Sequence, residues 1–247
     1  MTEGETDARL AARLAREAGD MLVRLQSESA LESRALGVEG DAIANAYLMH
    51  ELRTLRPDDG ILCEEECDNL ERLDHSRVWI VDPLDGTREY SERRDDWAVH
   101  VALAVDGIAT LGAVALPALG STFATDEPPP LRPANAPLRM LVSRTRPAKE
   151  ALAVAEAMRA ELRPLGSAGA KAMAVLMGDA DIYLHTGGQY EWDNCAPVAV
   201  AQAAGLHVSR ADGGPLIYNN RDTYLPDLLI CRRELADEVI ARFRALG

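Results

Sequence analysis

The sequence predicts a mixed α/β chain of two halves, the first of the α+β kind with an antiparallel sheet and the second of the α/β kind. Two apolar runs of the first half meet at Asp106 and Gly107, a dipeptide typical of tight β-hairpin turns. In the second half, short apolar runs alternate with helix-like segments, as in α/β folds. Residues 126–137 hold five prolines, which excludes regular structure there. We therefore expect one half over 1–130 and another over 137–247.

The elements of the first half follow from apolar spacing and from turn residues. Apolar residues three and four positions apart predict an amphipathic helix over 7–25. A second helix is expected to begin with Asp41 as its N-cap and to end before Pro57. Strands are predicted where apolar residues run together or alternate, at 61–62, 78–81, 97–105 and 108–116.

The second half gives four strands and four helices by the same reasoning. The strands are expected at 138–142, 182–184, 206–209 and 228–231. The helices are expected at 148–162, 171–177, 193–204 and 234–244. Asp193 stands at the first position of the third helix, where a side-chain oxygen commonly caps free backbone N–H groups.

The chain is strongly acidic, with 40 Asp and Glu against 26 Lys and Arg and a net charge of -14. That charge repels polyanions, so we expect neither a nucleic-acid polymer nor an acidic membrane surface as a partner. The sequence offers no apolar run long enough to span a membrane and no apolar leader segment. Its four cysteines are too few for a disulfide framework. We therefore expect a cytoplasmic protein that acts on a small molecule.

The segment 82–87 reads Asp-Pro-Leu-Asp-Gly-Thr and directly follows an apolar strand. Its carboxylates and backbone carbonyls are hard oxygen ligands suited to Mg²⁺, while Gly86 and Thr87 offer N–H groups and a hydroxyl to a phosphate. The alternative is a plain Asp-rich turn ahead of a helix. The segment also looks like the D-x-D-G-T motif of haloacid-dehalogenase phosphatases. Because Pro83 stands where that motif places its nucleophilic Asp, we exclude covalent aspartyl-phosphate chemistry and expect water as the nucleophile.

Two further acidic elements accompany this segment. Residues 64–66 are three glutamates between Cys63 and Cys67. Adjacent carboxylates usually form a solvated loop, and the sequence supplies no further Cys or His with the spacing of a structural zinc site. Asp193, ahead of an alanine-rich helix, is suited both to capping that helix and to ligating a metal.

Together, the pairs Glu64-Glu65 and Trp192-Asp193 and the segment 82–87 resemble the signature of the lithium-sensitive, Mg²⁺-dependent phosphatase superfamily. This superfamily includes inositol monophosphatases, fructose-1,6-bisphosphatases and 3′(2′),5′-bisphosphate nucleotidases. Residues 166–171 and 215–219 look most like its CysQ-type nucleotidase branch. The resemblance implies a five-layered αβαβα sandwich of the sugar-phosphatase (inositol monophosphatase-like) type. Since dimers are frequent in the family, it leaves a homodimer open.

The resemblance also implies roles for residues of this sequence. The metal ligands on that basis are Glu64, Asp82, Asp85, Asp193 and the carbonyl of Leu84. The catalytic residues that orient the attacking water are Asp41 and Thr87, with Glu65 beside them. Phosphate and substrate contacts fall to Gly86, Thr87, Ser167, Lys171 and His185. His185 stands where these nucleotidases often carry Arg, and Thr186 stands where inositol monophosphatases carry a Glu that binds inositol hydroxyls.

The function implied by the resemblance is hydrolysis of 3′-phosphoadenosine 5′-phosphate to AMP and phosphate, the work of a phosphoric monoester hydrolase. Two or three Mg²⁺ ions would activate the attacking water and hold the phosphate. Two alternatives stay open. One is an inositol monophosphatase or a broad sugar phosphatase such as a fructose-1,6-bisphosphatase. The other is a non-catalytic protein on the same fold that binds metal and phosphate, which the intact set of acidic residues disfavours.

Overall fold

The computed structural model describes residues 4–247, which form two five-stranded sheets and three layers of helices. The helices are α1 (Asp7–Glu28), α2 (Ser33–Leu55), α3 (Thr87–Ser91), α4 (Lys149–Met158), α5 (Ala168–Met177), α6 (Glu191–Ala203) and α7 (Ala236–Arg244). The strands are β1 (Gly60–Cys63), β2 (Arg77–Asp85), β3 (Ala98–Val105), β4 (Ile108–Leu116), β5 (Ser121–Ala124), β6 (Arg139–Ser143), β7 (Glu161–Leu165), β8 (Ile182–Tyr190), β9 (His207–Ser209) and β10 (Tyr224–Cys231). Residues 126–137 form neither helix nor strand, as their prolines predict, and connect the two sheets.

The layers follow the order helix, sheet, helix, sheet, helix. α1 and α2 cover the outer face of the first sheet, α5 and α6 lie between the sheets, and α4 and α7 cover the outer face of the second. The middle of α6 is apolar and buried throughout, from Cys195 to Ala201, because sheets cover it on both sides. This arrangement confirms the five-layered sandwich. Within residues 4–247, each helix is too short or too polar to cross a membrane.

The first sheet has the strand order β1-β2-β3-β4-β5. Neighbours from β2 to β5 are antiparallel, but β1 and β2 are parallel, so the prediction of a wholly antiparallel sheet was wrong for this pair. Residues 64–76 separate β1 from β2, and this connection is long enough to return the chain to the end of the sheet at which β1 begins. The hairpin between β3 and β4 is confirmed, because Asp106 and Gly107 both have positive φ, 50° and 78°.

The second sheet has the order β7-β6-β8-β10-β9. β6 runs parallel to β7 and β8, while β10 is antiparallel to β8 and β9. The predicted helix over 148–162 was too long, and β7 was missed. α4 ends at Met158 because Arg159 adopts a left-handed conformation with φ 54°. The chain from Glu161 onward then pairs with β6 instead.

α2 begins at Ser33, so the prediction that Asp41 caps a helix was wrong, and Asp41 lies inside α2. The helix runs on through Gly37 and Gly40, which weaken a helix in isolation but here allow close packing. A Cβ atom on Gly37 would lie 2.5 Å from a side-chain oxygen of α3, and one on Gly40 would lie 2.8 Å from the ring of Tyr90. This close approach brings Asp41 to the chain segment that follows β2.

Candidate active site

Three carboxylates from the two halves meet where β2 ends. Asp82 and Asp85 belong to the last part of β2, and Asp193 belongs to the first turn of α6. One carboxylate oxygen from each residue lies within 4.8 Å of the other two. Asp82 and Asp85 are buried, while Asp193 is partly exposed. Asp193 is the third residue of α6 rather than its N-cap, and its Oδ2 accepts a hydrogen bond from the Tyr190 N–H at 2.6 Å.

Asp85 is held from three directions. The N–H groups of Ala168 and Gly169, at the start of α5, donate to its two carboxylate oxygens at 3.1 and 2.6 Å. The Nε2 atom of His100 on β3 lies 3.2 Å from Asp85 Oδ2, in an approach too oblique for a well-aligned hydrogen bond. Burial by itself raises the pKa of Asp85, but His100 and the Gly169 N–H outweigh it and lower the pKa below its ordinary value. Asp85 is therefore an ionised carboxylate in a fixed position.

The other acidic side chains around it repel one another. Burial and the charge of Glu64 raise the pKa of Asp82 well above its ordinary range. Desolvation and the charge of Asp193 raise the pKa of Glu64 to about 7, although part of Glu64 remains exposed. Burial and the charge of Asp85 raise the pKa of Asp193 to about 6. The fold thus gathers carboxylates that repel one another, and the nearby His100 and Lys171 offset this repulsion only in part.

This set of side chains fits the metal ion that the sequence resemblance implies. A divalent cation between the carboxylates would cancel their repulsion. A donor set of carboxylate and carbonyl oxygens suits Mg²⁺, Ca²⁺ or Mn²⁺ better than metals that prefer thiolate or imidazole ligands. Asp82, Asp85 and Asp193 could hold such an ion directly, and Glu64 lies close enough to share its field.

The turn after Asp82 is closed by short polar contacts. Asp82 Oδ1 accepts a hydrogen bond from the Leu84 N–H at 3.0 Å. Thr87 Oγ1 lies 3.2 Å from the Leu84 carbonyl oxygen and 3.4 Å from Asp41 Oδ1, so its single proton can be donated to either. Burial and the charge of Glu65 raise the pKa of Asp41 to about 7. The fold therefore places Asp41, Thr87 and the Leu84 carbonyl together.

Gly86 joins β2 to α3 at a point where the two halves touch. Its φ of 90° is a left-handed conformation that favours glycine. A Cβ atom there would lie 3.0 Å from Ser167 Cβ, which belongs to the second half. The backbone can follow this path only without a side chain, and this accounts physically for the glycine in the segment 82–87.

A cavity of about 400 Å³ opens beside the carboxylates. Its lining includes Asp85, Thr87 and Asp193 together with Lys171 and His185. A larger and more apolar groove, of about 680 Å³, lies elsewhere and is lined by none of the three carboxylates. The smaller cavity is therefore the one that can present a ligand to the acidic cluster.

Two of the predicted substrate residues open α5. Ser167 is the N-cap of this helix, and its Oγ accepts a hydrogen bond from the Ala170 N–H at 2.8 Å. The buried Lys171 ammonium donates to the carbonyls of Gly166 and Ser167, the latter at 2.7 Å, and lies 5.3 Å from the centre of the Tyr183 ring. Burial lowers the pKa of Lys171. Much of the hydrogen-bonding capacity of Lys171 is therefore already used by the backbone.

His185 and Thr186 are also engaged within the protein. The His185 Nε2 atom lies 3.0 Å from the Gly188 carbonyl oxygen, so this nitrogen carries the proton, and burial lowers the pKa of the ring. The Thr186 hydroxyl donates to Glu150 Oε2 at 2.6 Å. His185 lines the cavity, whereas the Thr186 hydroxyl is directed to α4.

Three cavity-related residues were missed by sequence reasoning. His100 is fully buried, and its Nδ1 atom lies 3.0 Å from the Trp192 carbonyl oxygen, but its alternation along β3 predicted only a position on one face of the sheet. Arg88 and Arg146 line the cavity, and within residues 4–247 neither guanidinium donates a hydrogen bond to the protein. Two sequence features could have indicated them: His100 is a histidine within an apolar strand, and Arg88 directly follows the segment 82–87.

Comparison with known proteins agrees with this geometry. Residues 7–246 match a family model described as the inositol monophosphatase family. A protein of Mycobacterium leprae named 3′-phosphoadenosine 5′-phosphate phosphatase is 46% identical, over 97% of this chain and 94% of its own length. A 3′(2′),5′-bisphosphate nucleotidase CysQ of Escherichia coli K12 is 31% identical, over 86% of this chain and 94% of its own. The crystal structure of CysQ from Bacteroides thetaiotaomicron aligns with a TM-score of 0.80 at 23% identity, over 94% of this chain and 99% of that one, and so shares the fold.

Proposed function

The chain belongs to the inositol monophosphatase family, and on this premise we propose that it is a Mg²⁺-dependent phosphatase that hydrolyses 3′-phosphoadenosine 5′-phosphate to AMP and phosphate. The observation that carries the proposal is the cluster of Asp82, Asp85 and Asp193 beside a cavity. Cations held there would attract a phosphate ester to a protein whose net charge of -14 otherwise repels it. The names of the most similar relatives support the choice of substrate.

The metal ligands in this proposal are Asp82, Asp85, Asp193, Glu64 and the Leu84 carbonyl. Two or three divalent cations bound to them would neutralise the phosphate oxygens and lower the pKa of the attacking water. Asp85 is ready for this role, because two backbone N–H groups already fix its ionised carboxylate. Asp82 and Asp193, whose pKa values are raised, would lose bound protons as the ions enter.

We further propose that Asp41 and Thr87 orient the attacking water. The Thr87 hydroxyl can accept a hydrogen bond from water while it donates to Asp41 Oδ1, 3.4 Å away. A pKa of about 7 suits Asp41 to taking up a proton near neutral pH. Glu65 contributes through its charge, which helps to keep that pKa high. The Gly86 and Thr87 N–H groups would face the phosphate.

The second phosphate of the substrate requires further cationic groups. Arg88 and Arg146 line the cavity with guanidinium groups that make no hydrogen bond to the rest of residues 4–247. A guanidinium group matches the geometry of phosphate oxygens with paired N–H donors. We propose that Arg146 and Arg88 contact the second phosphate directly. Lys171 would add a buried positive charge and, with His185, shape the same wall, while Ser167 caps the helix that carries Lys171.

The proposal is tested by measuring phosphate release from a panel of esters with Mg²⁺. The panel contains 3′-phosphoadenosine 5′-phosphate, inositol 1-phosphate and fructose 1,6-bisphosphate. We expect the highest kcat/KM for the nucleotide and no activity with any ester after Asp82→Asn. Highest kcat/KM for inositol 1-phosphate or the sugar bisphosphate would overturn the substrate assignment, and release from none of the three would overturn the phosphatase assignment for these substrate classes.

One observation weighs against inositol phosphates as the preferred substrates. Thr186 stands where the resemblance places an acidic residue for inositol hydroxyls, and its own hydroxyl is already bonded to Glu150. The polyol would then lack its partner at this position. A buried polar group of a ligand without a partner costs about 1–3 kcal/mol, which is about a 5- to 150-fold loss of affinity.

A further inference from the structure

An exposed aromatic pair lies beside the acidic cluster and has no role in the hydrolysis described above. Tyr190 and Tyr224 are 48% and 47% exposed, and Tyr190 lines the cavity. They face each other across β8 and β10 as a register pair, with ring centres 6.2 Å apart and planes at 80°. Large aromatic side chains left half-exposed at a cavity commonly contact ligands.

The pair is held rigidly by its neighbours. One face of the Tyr190 ring stacks on Trp192, with ring centres 4.9 Å apart and planes at 13°. The ring of Tyr224 crosses β8 at Gly188, where φ is 90° and a Cβ atom would lie 2.3 Å from the tyrosine ring. Gly188 thus provides the space in which the ring of Tyr224 packs beside Tyr190. Tyr190 is still 48% exposed although Trp192 stacks on it, so part of its ring surface is open at the cavity, and we call this uncovered surface the free face.

The backbone of Tyr190 also ties this ring to the reaction centre. Its N–H donates to Asp193 Oδ2 at 2.6 Å, and Asp193 belongs to the carboxylate cluster. Tyr190 and Asp193 also line the same cavity, so a phosphate ester held at that cluster can extend its organic part along the tyrosine ring. A flat ring of the ester can lie on the exposed face, whereas a polyol or furanose would leave that apolar face largely uncovered.

We propose that Tyr190 is a specificity-determining residue, whose free face stacks on the heteroaromatic base of a nucleotide. Tyr224 and Trp192 hold the ring in position. The inference rests on the proposed function and deepens it, because it names the group by which this cavity separates nucleotides from polyol and sugar phosphates. Stacking of a base on an aromatic side chain corresponds to about a 5- to 150-fold change in affinity.

The test is equilibrium binding in the presence of Mg²⁺, measured by calorimetry with AMP and with ribose 5-phosphate, which lacks the base. The proteins are the wild type, Tyr190→Ala, Tyr190→Phe and the remote control Ile108→Ala, in which another exposed apolar side chain (51% exposed) is shortened. We expect wild type, Tyr190→Phe and Ile108→Ala to bind AMP at least about 10-fold more tightly than ribose 5-phosphate. Tyr190→Ala should lose most of that ratio while binding ribose 5-phosphate as before.

The other outcomes of this binding experiment either overturn the proposal or separate it from the proposed reaction. An unchanged ratio in Tyr190→Ala, or an equal loss of affinity for both ligands, would overturn the proposal, because the ring would then be irrelevant or merely structural. Phosphate release from both ligands is measured in parallel as a control, and the binding ratio is read apart from the phosphate-release panel. If the ratio falls in Tyr190→Ala but 3′-phosphoadenosine 5′-phosphate is not hydrolysed, the base-stacking role holds and the proposed reaction fails.

Discussion

Adding one methyl group at Gly169 should destabilise this protein, although a change from glycine to alanine stabilises most helices. Gly169 lies in the first turn of α5, where alanine in an exposed position gains up to about 1 kcal/mol. A Cβ atom at this position, however, would lie 2.1 Å from His100 Nε2 and 3.0 Å from Ala98 Cβ. The first distance is far inside any non-bonded contact, so the imidazole ring or the helix must move.

Moving either the imidazole ring or the helix costs free energy. His100 is fully buried, its Nδ1 is bonded to the Trp192 carbonyl at 3.0 Å, and the Gly169 N–H is itself bonded to Asp85. Overpacking of such a site costs about 1–3 kcal/mol. The 2.1 Å clash with a fully buried ring places the cost in the upper part of that range, about 2–3 kcal/mol. After a helix gain of about 1 kcal/mol is subtracted, we expect Gly169→Ala to lower the free energy of unfolding by about 1–2 kcal/mol.

The measurement is urea denaturation without metal for the wild type, Gly169→Ala, His100→Ala and the double variant. Removing the ring in His100→Ala opens the space, so the alanine should cost nothing in that background, and the coupling between the two sites should be at least about 1 kcal/mol. A Gly169→Ala protein as stable as the wild type would refute this reasoning. So would an equal cost of the alanine with and without the His100 ring.

Three further results are expected. Asp82→Asn and Asp193→Asn should each lower kcat/KM more than about 100-fold, on the order of 3 kcal/mol, and near-normal activity in both would remove the metal-site model. Asp193 and Glu64 have folded pKa values of about 6 and 7 against ordinary values of 3.8 and 4.5, so the folded state binds more protons than the unfolded state between these values. The metal-free protein therefore loses stability as pH rises from about 4 to about 7. Mg²⁺ should therefore raise Tm more at about pH 8 than at about pH 5, and an equal rise at both would contradict this. Arg146→Ala and Lys171→Ala should both raise KM for the bisphosphate nucleotide more than for inositol 1-phosphate, but only loss of the buried Lys171 should also lower Tm.

The sequence predicts well those parts of the structure that are determined by residues close together in the chain. The segment 82–87 carries two clustered carboxylates, a glycine and a turn within six consecutive positions, and Asp106-Gly107 forms the hairpin between two adjacent strands. The helix over 7–25 was predicted because its apolar stripe faces a single layer, as the observed α1 confirms.

The parts that were missed depend on contacts between distant segments. Asp41 lies inside α2 because Gly37 and Gly40 pack on α3, which apolar spacing does not reveal. His100 occupies a strand that reads as ordinary apolar alternation, and only the fold places it against Asp85. Tyr190 lay outside the predicted strand at 182–184 and the predicted helix at 193–204, and its contacts with Trp192 and Tyr224 appear only in the folded structure.

The hydrogen bonds that hold Asp85 connect the two halves of the chain. Its carboxylate ends a strand of the first sheet, while the amide groups of Ala168 and Gly169 that clasp it begin a helix beyond the proline-rich residues 126–137. Neither half contains all three carboxylates of the proposed metal site, because Asp82 and Asp85 belong to the first half and Asp193 to the second. A chain cut within 126–137 would give two fragments that are inactive apart, and recovery of phosphate release on mixing would report their reassembly directly.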